Sequence, residues 1–322
     1  MIHLTGKRSM LVILLVLVFL ITLVNGSLLA ATKKITVQTP PVASALPILW
    51  MNETGVLGND IELDIKISPD HQRAVALIAK NEIDMMITGV NVGAKIFNKG
   101  IDVKLLNTNI WAVDYLLTKG FKASSWADLR GKTLSLPLKG GPLDFLARYF
   151  LNKNGVDPEE VKLVYQPSAN GARYFQLGKL DSIILPEPLV TVTLAKAKDA
   201  YLSLDLQQEW AKLHNGDDRI PYVGLFVSGK FSRENAELTE RFNQYYKEGV
   251  NWVNSHPQKA AALGAKYFNL PVKVIRASFN RINLNCYPEG ESFKLIEAYF
   301  NEILKIYPEL IGGRLPNEYF YF

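Results

Sequence analysis

Asn81-Glu82-Ile83-Asp84 opens an apolar run that continues to Thr88, and Gly178-Lys179-Leu180-Asp181 opens Ser182 to Leu185 in the same way. This repeated turn-and-strand element divides the chain into two similar lobes. The run Ile83 to Thr88 is almost continuously apolar, the pattern of a parallel strand covered on both faces. Working outward, Ile35 to Gln38 and Ile61 to Ile67 read as strands. Between them a loop with Pro40, Pro41, Ser44 and Pro47 leads into a helix containing Leu49 and Trp50. Ser68 and Pro69 read as the cap and first position of the next helix, because the hydroxyl accepts an orphan N–H and proline has none to lose. Its inner face carries Ala74, Leu77 and Ile78. A further helix runs from Val90 to Gly100, and Val103 to Leu106 is another strand.

The second lobe is announced by Ser124-Ser125-Trp126-Ala127-Asp128-Leu129-Arg130-Gly131-Lys132. Strands at Thr133 to Pro137 and Val161 to Tyr165 follow, with helices at Pro142 to Asn154 and around Ala172 to Leu177. Alternation of this kind predicts an α/β fold with mainly parallel sheets. Lobe I is expected over 34–110 plus 225–322 and lobe II over 118–220, with crossings near 109–118 and 220–225. From Glu234 the chain reads as almost wholly helical, its helices packing back onto lobe I.

Composition narrows the function. The 322 residues carry a net charge of +5, 48% hydrophobic and 11% aromatic residues. That excess is too scattered for a nucleic-acid binder, and the chain is too apolar for disorder. One cysteine, Cys286, excludes a disulfide scaffold and a zinc module and is expected to be buried and inert. Lys7 and Arg8, the apolar run Met10 to Val24 broken by Thr22, and the small residues Gly26, Ser27, Ala30 and Ala31 have the order of a secretory signal peptide over 1–31. Cleavage near Ala30 or Ala31 is expected, with an uncleaved anchor as the alternative. No cysteine stands there to carry a lipid, so a periplasmic protein is expected.

Phosphate-loop, dinucleotide, HExxH and GxSxG patterns are all missing. His3, His71, His214 and His256 are isolated, and His71 alone adjoins a strand-to-helix loop. The remaining candidates are loops at the carboxyl ends of strands, where open α/β sheets bind ligands. In Lys139-Gly140-Gly141-Pro142 the glycines permit close backbone approach and the helix start offers N–H groups to an anion. An ordinary Gly-Pro turn is the alternative. Thr88-Gly89-Val90-Asn91 is the matching feature of the other lobe, and Pro186-Glu187-Pro188 should hold Glu187 outward near the cleft. Trp111, Tyr115 and Tyr222 fall on the crossings, where each could stack on a ligand or pack as core. The stripe Phe242, Tyr245, Tyr246, Gly249 and Trp252 reads as one buried helix face.

Taken in order, the exported N-terminus, the Trp126 to Thr133 entry, the Gly-Gly turn, the Gly178 to Asp181 element and Glu187-Pro188 resemble solute-binding proteins of ABC importers. The resemblance is to the nitrate, sulfonate and taurine type, a group with relatives among thiamine-pyrimidine synthases. It implies a type II periplasmic-binding fold whose two lobes close over one small molecule and dock on an inner-membrane permease. It places ligand contacts at Pro40, Ser44, Ala45 and Leu46, at Thr88 and Asn91, at Gly140 and Gly141, and at Glu187. The clustered cysteines of the synthase relatives are absent, so self-consuming synthesis is not expected. No arginine stands in these loops, which argues against bidentate capture of a doubly charged anion. The expectation is a monomeric binding protein for a small organic ligand, anionic or uncharged, without cofactor or metal. An exported enzyme using His71 or Glu187 as acid or base is the main rival, and a ligand-sensing module the other.

Overall fold

A computed structural model describes residues 32–322, apart from the side chain of His71. The signal segment read at 1–31 lies outside the described residues. Strands β1 (Lys33–Thr39), β2 (Ile61–Ile67), β3 (Met85–Gly89) and β4 (Val103–Ala112) come first. They are followed by β5 (Asp114–Lys119), β6 (Thr133–Leu136), β7 (Lys162–Tyr165), β8 (Ser182–Pro186) and β9 (Ala200–Asp205), and then by β10 (Val223–Ser228) and β11 (Asn283–Leu284). One sheet has the order β2-β1-β3-β10-β4-β11 and the other β7-β6-β8-β5-β9. Both are built on one plan. Strand β1 pairs in parallel with β2 and β3, as β6 does with β7 and β8. In each sheet an antiparallel strand, β10 in the first and β5 in the second, then pairs with β3 or β8.

The echoed tetrapeptides do the same job in both sheets. Asn81 and Gly178 both adopt left-handed backbone, at φ 56° and 72°. Three residues later Asp84 accepts the backbone N–H of Thr36 at 2.8 Å, and Asp181 accepts that of Thr133 at 2.9 Å. Each aspartate thereby ties the turn to the neighbouring parallel strand.

Helices α1 (Leu46–Thr54), α2 (His71–Ala79) and α3 (Val90–Asn98) flank the first sheet. Those of the second are α4 (Pro142–Lys153), α5 (Ser168–Gln176), α6 (Leu189–Lys196) and α7 (Leu206–Leu213). The cap of α2 differs from expectation: Asp70, not Ser68, accepts the Arg73 N–H at 2.9 Å. A carboxylate meets the positive helix end with a full charge, and Ser68 instead accepts the Asp70 N–H at 3.3 Å. The segment Asn109 to Lys119 is also not one crossing strand. Strand β4 runs on to Ala112 because β10 and β11 pair along it, and Val113 alone separates it from β5.

The rest of the chain forms α8 (Gly229–Glu234), α9 (Ala236–Ser255), α10 (Pro257–Phe268), α11 (Val272–Ser278) and α12 (Glu289–Ile306). The aromatic stripe of α9 is core: Phe242 and Tyr246 are fully buried, and Trp252 stacks on Trp50 of α1. Gly249 lets the two helices touch, since a Cβ there would stand 2.9 Å from Pro47. These helices do not all return to the first sheet. Tyr299 of α12 packs edge-on against Phe145 of α4 at 5.5 Å and against Trp210 of α7 at 5.8 Å, while α11 packs on α6. The C-terminal helices therefore bridge both lobes.

Candidate functional site between the lobes

The two connections between the sheets run side by side, with the Ile220 N–H on the Trp111 carbonyl at 2.9 Å and the Tyr222 N–H on that of Ile110 at 3.0 Å. Gln207 of α7 clamps them. Its Oε1 accepts from the Val113 N–H, the Asp114 N–H and the Tyr222 hydroxyl, and its Nε2 donates to the Asp114 carbonyl. Trp111 donates to the Asn285 carbonyl at 2.9 Å and meets Tyr287 edge-on, so it packs as core. The Tyr115 hydroxyl donates to the Arg281 carbonyl at 3.0 Å.

Two of the loops expected to bind ligand meet, and the lobes touch there. Gly89, at the start of α3, lies so close to Pro142 of α4 that an added Cβ would stand 2.9 Å from the proline Cγ and 3.0 Å from Asn91 Oδ1. Gly89→Ala should therefore prop the lobes apart and cost about 1–3 kcal/mol, as overpacking does. Small-angle scattering should show a larger radius of gyration than for the parent protein. An unchanged radius would mean that the Pro142 ring yields instead.

Two candidate residues are already engaged. The Gly140 N–H donates to Asp144 Oδ2 at 2.8 Å, and the Gly141 N–H donates to the Leu138 carbonyl at 3.2 Å. Asp144 is buried and also accepts from Arg148 at 2.9 Å and Tyr165 at 2.8 Å. The anion drawn to this helix start is thus the chain's own carboxylate, in its first turn, and the expectation of a free anion cradle is corrected. Lys139 is exposed. Glu187 is likewise not held outward: it is fully buried, accepts from the N–H and hydroxyl of Thr191, and pairs with Arg281 from beyond α11. Burying a carboxylate requires such partners, and a guanidinium distant in sequence supplies the charge. The His71 side chain lies outside the described residues.

Other polar groups are buried without partners. Ser44 Oγ follows β1, both amide atoms of Asn91 follow β3, Thr108 Oγ1 and Asn109 Oδ1 lie on β4, and the Tyr299 hydroxyl comes from α12. Pro40, Ala45 and Leu46 are buried beside Ser44, and Thr88 is buried at the end of β3. Asp114 is the unexpected member. It opens β5 opposite Pro186, is 3% exposed, and its carboxylate has no hydrogen-bond donor or cation against it among the described residues. Burial pushes its carboxyl up to about 8, and its charge in turn raises the Tyr222 and Tyr299 hydroxyls, whose own burial acts first. Cys286 packs against the core, and burial pushes its thiol up to about 12, which makes it a poor nucleophile.

Residues 58–260 match the family described as NMT1/THI5 like. The chain belongs to that family. Within reach of this NMT1/THI5-like chain, YtlA of Bacillus subtilis (strain 168) is 20% identical over 229 residues, 69% of this chain and 66% of that protein, just under two thirds of its length. Among solved structures, an ABC transporter protein from Parabacteroides distasonis superposes with a TM-score of 0.73 at 20% identity, covering 90% of this chain and 99% of that one. The periplasmic aliphatic sulphonate binding protein SsuA of Escherichia coli gives 0.69 at 14% identity, over 88% and 97%. The periplasmic nitrate-binding protein NrtA of Synechocystis PCC 6803 gives 0.62 at 15%, over 77% and 70%. The NMT1/THI5-like chain has the type II periplasmic-binding fold of these proteins.

Proposed function

We propose that this protein is an exported solute-binding protein that captures a small organic molecule between its lobes and delivers it to an ABC importer. The observation that carries the reading is the set of buried, unpartnered polar atoms of Ser44 beyond β1, Asn91 beyond β3 and Tyr299 of α12, together with the buried carboxylate of Asp114 beside the two clamped connections. Polar groups buried without partners cost free energy, and a ligand that supplies partners from both sides recovers it on closure. The sulphonate- and nitrate-binding neighbours support the class of function. We assign lobe I to 34–110 plus 225–322, lobe II to 118–220, and the hinge to the connections near 109–118 and 220–225. The protein acts as a periplasmic monomer, chemically unchanged ligand leaves it, and an inner-membrane permease is its partner. Among the described residues no helix is long and apolar enough to cross a membrane. Acid–base chemistry at Glu187 is disfavoured because Arg281 and Thr191 hold its carboxylate.

Native mass spectrometry of the protein as purified should reveal a retained small molecule. Protein unfolded, dialysed free of it and refolded should show a larger radius of gyration, restored when the molecule is returned. A molecule that binds tightly while leaving the radius unchanged, or that is recovered chemically altered, would overturn the reading.

A further inference from the structure

We propose that lobe I carries a second binding site, a pocket for a small amphipathic carboxylate anchored on the Arg276 guanidinium. None of the residues lining this pocket comes from lobe II. It therefore lies apart from the site between the lobes, and the inference does not depend on the solute-binding reading. Arg276 belongs to α11, is half-buried, and makes no hydrogen bond or ion pair among the described residues. The other half-buried arginines are all held by carboxylates: Arg148 by Asp144, Arg219 by Asp217 and Glu291, and Arg281 by Glu187. The other arginines without an ion pair, Arg73, Arg173, Arg241 and Arg314, are exposed, so water serves them. Arg276 alone is withdrawn from solvent and left without a counter-charge among the described residues. A guanidinium cannot shed its proton, so such a group calls for an acceptor.

The pocket does not supply that acceptor itself. No aspartate or glutamate lines it, and Asn254 turns its amide N–H to the Leu284 carbonyl at 2.8 Å. Asn280, on the exposed rim, has no hydrogen-bond partner among the described residues and adds a free amide beside Arg276. The remaining wall is apolar, with Val253 and Leu284 buried and Pro257 and Phe279 half-buried. A guanidinium on one side and hydrocarbon on the other match a carboxylate with a short apolar body, whose planar head takes two parallel N–H donors. An inorganic anion would leave the apolar wall unfilled, and a cation would meet Arg276. The pocket encloses about 190 Å³, below the range of about 300–1,000 Å³ that holds drug-sized molecules, so the body is no larger than one ring or a short chain. Its occupant would also touch Phe279 and Ile282, which flank the residue that pairs with Glu187 of lobe II.

Titration calorimetry of the full mature chain should be run with benzoate, pivalate and butyrate, and with sulfate and benzamide as controls. At least one carboxylate should bind, while sulfate, which lacks the apolar body, and benzamide, which lacks the charge, bind at least about tenfold more weakly. Arg276→Gln should weaken that carboxylate by about tenfold to a hundredfold, the loss of one charge-assisted contact. Arg276→Lys keeps the charge but not the fork and should weaken it less. Asn280→Trp, placed on the exposed rim, should block the pocket without touching the core, and melting curves should show all three variants folded. If no carboxylate binds, or if one binds Arg276→Gln and Asn280→Trp as it binds the parent protein, the second site is overturned while the solute-binding reading stands. Native mass spectrometry separates the two sites: Arg276→Gln should retain the same small molecule as the parent, and its loss from that variant would show that Arg276 serves the lobe junction and overturn a second site.

Discussion

Arg281→Met should destabilise the protein by about 3–5 kcal/mol, the cost of stripping a buried carboxylate of its counter-charge. The guanidinium pairs with Glu187 through Nε and donates from Nη2 to the Thr191 hydroxyl at 2.6 Å. Glu187 is fully buried while the Arg281 side chain is 32% exposed, so the lower figure is the better guide. The pair joins the end of β8 to the segment beyond α11, so its loss should also loosen the lobes. Urea denaturation supplies the measurement. The double variant Glu187→Gln/Arg281→Met should recover most of the loss, because the two changes share one interaction. A single-variant cost below about 1 kcal/mol would show that water or a shifted side chain already satisfies Glu187.

Asp114→Asn should move stability the other way. In the folded protein its carboxyl is pushed up to about 8 by burial alone, whereas in the unfolded chain it ionises near the ordinary aspartate value of about 3.9. Folding therefore takes up a proton between those values, and stability falls as pH rises through that window. The asparagine variant has no such proton to take up. Its advantage over the parent should grow from pH 5 to pH 7 by up to about 1.4 kcal/mol per pH unit. Denaturation at pH 5, 6 and 7 checks this, and a difference that does not change with pH would mean that Asp114 is ionised in the fold.

Much of the architecture was readable because it is local. The Asn81 to Asp84 and Gly178 to Asp181 elements announce themselves by a residue that tolerates left-handed backbone and an aspartate three positions on. Helix α4 likewise starts at Pro142, as its missing N–H suggests. Strand β9 is not legible in its own residues, because it is a mostly half-buried edge strand entered through Asp199, itself left-handed at φ 57°. The candidate site was legible only as a set of loops. Thr88, Gly89, Asn91 and Pro142 do meet, since their places at strand ends follow from the fold. The buried polar groups beside them come from elsewhere: Asp114 from the start of β5, Gln207 from α7, Arg281 and Tyr299 from the C-terminal part. Their burial is a property of the assembled molecule, and nothing in their neighbours along the chain reports it. Asp144 is the exception, because its place in the first turn after Gly140-Gly141-Pro142 was a visible sign that the helix start was taken.

The position of β10 between β3 and β4 dictates an order of assembly. Strands β5 to β9 are contiguous in the chain, so their sheet can complete itself while later residues are still being made. The first sheet cannot, because β3 and β4 have no common neighbour until residues 223–228 arrive. Until then the apolar edge of β3 stands open, so the sheet of the first lobe is the last to close.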